Sequence, residues 1–75
     1  MQIGQVVLSL AGRDSGKYFA VLGSNDRKVL ICDGKERPLQ HPKCKSEKHL
    51  RATEYVLSSE QLKTNKALKK ALKAF

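Results

Sequence analysis

The sequence predicts a mainly β protein: a small barrel of short strands followed by a C-terminal amphipathic α-helix. Three observations carry this. Short apolar runs alternate with glycine-containing turns over the first forty residues. A chain of 75 residues has room for one core only. From Ser58 onward the apolar spacing changes from strand-like to helix-like. Residues 1–55 are expected to form the barrel, and residues 56–75 the helix of the same domain.

In Gln5–Leu10, Val6, Leu8 and Leu10 share one face and Val7 and Ser9 the other. Gly12-Arg13-Asp14-Ser15-Gly16 then reads as a turn, because glycine accepts positive φ and Asp and Ser bond nearby backbone. Tyr18–Leu22 is a second strand and Gly23-Ser24-Asn25-Asp26 a second turn. Lys28–Cys32 is a third strand, closed by the hairpin dipeptide Asp33-Gly34. Arg37–Leu39 reads as a short fourth strand, Gln40–Lys48 as a polar loop around Pro42, and His49–Tyr55 as the last strand. Rolling such a meander into a barrel removes its exposed edges.

The helix is expected to start at Ser58, with Gln61 completing a capping box and Leu57 and Leu62 forming a hydrophobic staple. Ala67, Leu68, Ala71, Leu72 and Phe75 fall on one face, and Lys63, Lys66, Lys69, Lys70 and Lys73 on the other. Leu62 alone sits among the lysines. A helix this short is marginal in water, so it must dock or fray.

The formal net charge is +8, and it is unevenly spread. Residues 1–34 hold four basic and three acidic side chains, whereas residues 35–75 hold eleven and four. Such a field attracts polyanions. Lys35, Arg37, His41, Lys43, Lys45, Lys48, His49 and Arg51 fall within seventeen residues, opposed by Glu36 and Glu47. Long cationic side chains at this density suit phosphate neutralisation. Arg13, Lys17 and the backbone N–H groups of the first turn are expected to add phosphate contacts.

Other chemistries find little support. Gly12–Lys17 looks like a phosphate-binding loop, but only three residues separate its glycines, and Tyr18 stands where a Mg²⁺-binding hydroxyl is needed. Cys32, His41, Cys44 and His49 are spaced by eight, two and four residues, which lacks the paired knuckles of a zinc site. Cys32 reads as a buried apolar residue and Cys44 as an exposed thiol. No nucleophile has an evident base, so the reading is non-enzymatic, with no cofactor or metal. Met1-Gln2-Ile3-Gly4 lacks the basic and apolar stretches of a signal peptide, and two cysteines do not make a disulfide framework. A cytoplasmic protein with reduced thiols is expected.

Gly4-Gln5-Val6-Val7 and Gly12-Arg13-Asp14-Ser15-Gly16-Lys17-Tyr18-Phe19-Ala20-Val21 resemble the KOW motif of ribosomal proteins and NusG-type elongation factors. Val29–Gly34, Lys35, Arg37 and Lys48-His49-Leu50 extend the likeness. Together they resemble the archaeal and eukaryotic large-subunit ribosomal protein fourteen family, in particular its short bacterial KOW-domain RNA-binding relatives. The resemblance covers roughly residues 3–51 and implies an SH3-like barrel that binds structured RNA, usually ribosomal RNA. It puts Gly12 at the motif's glycine, and Arg13, Lys17, Lys35, Arg37, Lys43, Lys45, Lys48, His49 and Arg51 at RNA-facing positions. Cys32 and Cys44 depart from the pattern, and residues 56–75 have no counterpart in it.

The expected partners are RNA and neighbouring ribosomal proteins, with no small-molecule substrate. Lys43, Lys45 and Lys48 are expected to contribute more than Lys66 and Lys70. The rival readings are a protein-interaction module and a helix lying on anionic membrane. Scarce aromatics and a thin apolar helix face weigh against these.

Overall fold

Gln5–Ser9 (β1), Tyr18–Asn25 (β2), Lys28–Cys32 (β3), Lys43–Ser46 (β4) and Leu50–Val56 (β5) form one antiparallel sheet. Its order is β4-β3-β2-β1-β5, and Asn65–Leu72 forms helix α1. The computed structural model describes residues 1–75.

The sheet is rolled. Glu47–His49, a single 3₁₀ turn, joins β4 to β5, although these are the two edges of the sheet. In a flat sheet four strand spacings would separate them by about 19 Å. The four Cα steps from Ser46 to Leu50 span at most about 14 Å even when fully extended. The chain can only make this connection if the sheet curls. No ladder joins β4 to β5, so the expected barrel is a rolled sheet with an open seam. Lys43, Lys45, Arg51 and Glu54 lie along the two edges, where charge discourages pairing with other chains.

Both faces of the central strands are buried, which explains their nearly continuous apolar runs. Val7, Phe19, Val21, Val29, Ile31 and Leu50 fill the concave face. Val6, Ala20, Cys32, Leu57 and Leu68 form a second cluster on the convex face, under α1. Strand β2 runs three residues past its expected end, through a bulge between Val21 and Gly23. The turn that follows is Asp26-Arg27, with Asp26 at φ 60°.

Arg37–Leu39 is not a strand. Asp33 Oδ1 accepts the N–H groups of Lys35 and Arg37, both at 2.9 Å. The Leu39 N–H donates to Asn65 Oδ1 at 2.7 Å, and Pro38 has no N–H to give. No donor in the segment is left for a ladder. The fourth strand instead lies inside the expected loop, at Lys43–Ser46, paired with β3.

The helix begins later than its sequence signals. The capping box does form: Ser58 N–H donates to Gln61 Oε1 at 2.9 Å, and Gln61 N–H to Ser58 Oγ at 3.3 Å. It caps an isolated turn. α1 starts at Asn65, where Thr64 Oγ1 accepts the Ala67 N–H at 3.0 Å. One unbroken helix would strand Leu62 on the lysine face. The break lets Leu62 join Leu57 against the convex cluster while Leu68, Ala71 and Leu72 also turn inward.

Candidate nucleic-acid interface

The ten residues singled out from the sequence divide into four groups. Arg13, Arg37 and Lys43 line one cleft, together with Asp14, Phe19 and Glu36. The first turn and the Asp33–Arg37 loop form its walls. Lys17 and Lys35 line a second cleft on the other side of that loop, facing Lys69 and Lys73 of the helix. Lys17 pairs with Glu36 at 3.4 Å, which ties the turn to the loop between the clefts. Both groups are well exposed, so this bond positions more than it stabilises. Lys48 is exposed and His49 half-buried in the 3₁₀ turn, while Arg51 is exposed on β5 opposite Leu8.

Lys45 is the exception. It points into the concave face and is only 8% exposed. Its ammonium donates to Ser9 Oγ at 2.7 Å, to the Ala11 carbonyl at 2.6 Å and to Asp14 Oδ1. An ammonium has three donors, and all three are taken. Lys45 therefore closes one end of the rolled sheet and presents no charge to a ligand. Lys43 donates to the other Asp14 oxygen at 3.0 Å but remains partly exposed. Gly12 sits over this cluster at φ 84°.

Burial of Asp14 pushes its carboxyl pKa up, but hydrogen bonds from Lys45, Ser9 and Lys43 outweigh that and hold it well below the usual carboxylate range. The unfolded chain, with Asp14 near ~3.9, takes up a proton first as pH falls. The stabilisation is thus complete at neutral pH and lost on acidification below about pH 4. We expect the melting temperature to fall on acidification in the natural protein. In Asp14→Asn it should be lower at neutral pH and flatter toward acid. Parallel curves for the two proteins would show that Asp14 does not govern the acid limb.

The backbone of the first turn is less available than its glycines suggest. The Ser15, Gly16 and Lys17 N–H groups donate to the carbonyls of Gly12, Ser9 and Asp14. Any anion at this turn meets side chains first. The four cysteine and histidine side chains do not converge into a metal-binding group. Cys32 is fully buried beside the Ala20 carbonyl, and burial, reinforced by the Asp33 charge, pushes its thiol pKa up to about 12. Cys44 is exposed on β4.

The sequence reading left the helix lysines between an extension of the basic surface and a solvated face; Lys69 and Lys73 form one wall of the second cleft. It also assigned Phe75 to the docking face of the helix. Phe75 instead sits past the helix end, 38% exposed, with ring centroids 5.6 Å from Tyr18 and 5.1 Å from Tyr55. Three of the four aromatic residues thus gather at one place, and their scarcity was the signal available. No helix is long and apolar enough to cross a membrane. The apolar side of α1 is used against the sheet, leaving its lysines to solvent. No protein-family model matches this chain, and no curated protein matches it.

Proposed function

We propose that this protein is a non-enzymatic RNA-binding module, an SH3-like barrel of the KOW type that acts on ribosomal or other structured RNA in the cytoplasm. Closing the rolled sheet into such a barrel would bring β4 against β5, and these are the two strands the 3₁₀ turn already joins. The observation that carries the functional reading is the convergence of distant basic residues. The Gly12–Lys17 turn, the Asp33–Arg37 loop, β4 and the helix contribute seven cationic side chains to two neighbouring clefts. Against them stand Asp14, Asp33 and Glu36, and Asp14 is already matched by two lysines. Surfaces of this kind bind a phosphate backbone through counterion release.

Binding of a ribosomal RNA fragment is expected to fall steeply between about 50 and about 200 mM salt. Changing Arg13, Arg37 and Lys48 together to Ala should weaken it at least about tenfold and reduce the salt slope by about 2 to 3. Lys66→Ala with Lys70→Ala should do less. Affinity that ignores salt would rule out phosphate neutralisation. Lys45 does not belong in this comparison, because its loss would unfold the scaffold rather than strip the surface.

A further inference from the structure

Tyr18 and Phe75 line the second cleft, and Tyr55 adjoins it through Phe75, a feature that phosphate neutralisation does not use. Phe75 lies between two tyrosines, tilted 41° to Tyr18 and nearly edge-on, at 74°, to Tyr55. Tyr55 is 56% exposed and Phe75 38%, so the aromatic cluster is open to solvent. Lysines flank it on both sides: Lys17 from the first turn and Lys35 from the Asp33–Arg37 loop, Lys69 and Lys73 from the helix. Asp33 is the one acidic group lining the cleft, and one of its two carboxylate oxygens, Oδ1, accepts two backbone N–H groups. The helix end here carries partial negative charge, which Lys69 and Lys73 offset.

Exposed rings beside a row of cations are what an unpaired nucleotide needs. A base can stack on the ring while its phosphates meet the ammonium groups. A duplex offers only phosphates and groove edges, because its base faces are covered by neighbouring bases. We infer that the seam formed by Tyr18, Tyr55 and Phe75 is a stacking platform for an unpaired nucleotide, with Lys17, Lys35, Lys69 and Lys73 holding the flanking phosphates. The inference rests on the RNA-binding reading and narrows its substrate to RNA with single-stranded segments.

The chain has two tyrosines and no tryptophan, so tyrosine emission reports on this platform directly. The test titrates the protein with an oligouridylate, a double-stranded RNA of equal length and a polyglutamate of equal charge. Oligouridylate is expected to quench tyrosine emission and the duplex to leave it nearly unchanged. Phe75→Ala should lower oligouridylate affinity about tenfold while duplex affinity and salt slope stay the same. Phe75→Leu keeps apolar bulk for packing but removes the π face, and should show the same loss. If both variants bind oligouridylate like the natural protein, the platform is refuted and the phosphate reading stands. Polyglutamate binding with the same dependence on Phe75 would make the seam a site for acidic peptides and overturn the inference. No binding of either RNA would remove both readings.

Discussion

Lys45→Ala should destabilise the fold by about 3 to 5 kcal/mol, the usual effect of removing one partner from a buried ion pair. A domain of this size has a total stability near the low end of about 5 to 15 kcal/mol, so much of the population should be unfolded at room temperature. The loss has a specific origin. Asp14 would keep its buried carboxylate with only Lys43 and Ser9 to hold it, and the Ala11 carbonyl would have to share the single Ser9 hydroxyl proton with that carboxylate. At present no buried side-chain nitrogen or oxygen lacks a partner. The cluster also bridges the roll: Lys45 is on β4 and Ser9 on β1, three positions apart in the sheet order. Urea denaturation followed by circular dichroism measures the effect. Lys48→Ala, on the exposed turn, should change stability by no more than about 0.5 kcal/mol. Replacing the pair together, Lys45→Met with Asp14→Leu, should recover most of the loss, because the penalty lies in the orphaned charge. Equal stability of Lys45→Ala and Lys48→Ala would show that the buried contact contributes nothing.

Gly34→Ala should unseat the helix. Gly34 has φ 80°, and a Cβ there would collide with the backbone carbonyl of Asn65 and lie 3.2 Å from the Lys69 nitrogen. Neither is the end of a flexible side chain that can move aside. The first turn of α1 therefore rests on a bare backbone at this point. Asn65 also holds the same loop through its bonds to Leu39 and Gln40. The left-handed conformation alone costs a non-glycine residue about 1 to 2 kcal/mol. Gly16 isolates that part: its φ is 85°, and nothing lies within 4 Å of a Cβ built there. Gly16→Ala should show the conformational penalty alone. Gly34→Ala should exceed it by about 1 to 3 kcal/mol, the scale of lost burial for a residue such as Leu68. Amide hydrogen exchange gives the local readout, with protection of residues 67–72 lost in Gly34→Ala and kept in Gly16→Ala. Similar protection in both variants would mean that the helix does not depend on this contact.

The tyrosine and phenylalanine seam shows why part of the candidate site was hidden. Tyr18, Tyr55 and Phe75 start a strand, approach the end of another and follow a helix. No local spacing links them. Arg13 and Arg37, in contrast, were legible as cationic loop residues, and the fold puts them in one cleft.

The amino-acid order alone determined four of the five strands, the opposite faces that Val6 and Val7 present, the helical character of the last residues, and the crowding of positive charge from Lys35 onward. These are properties of near neighbours, set by side-chain alternation and local backbone preference. Tertiary structure decided the remainder. It turned Lys45 inward to an aspartate 31 residues away, took the Arg37 and Leu39 amides out of any ladder, and placed a strand at Lys43–Ser46. It also delayed the helix to Asn65 so that Leu62 and Leu68 both find cover. Each of these outcomes depends on a partner far along the chain. A charged residue reads the same in sequence whether its counterion is water or a buried carboxylate, and only the rolled sheet supplies the carboxylate.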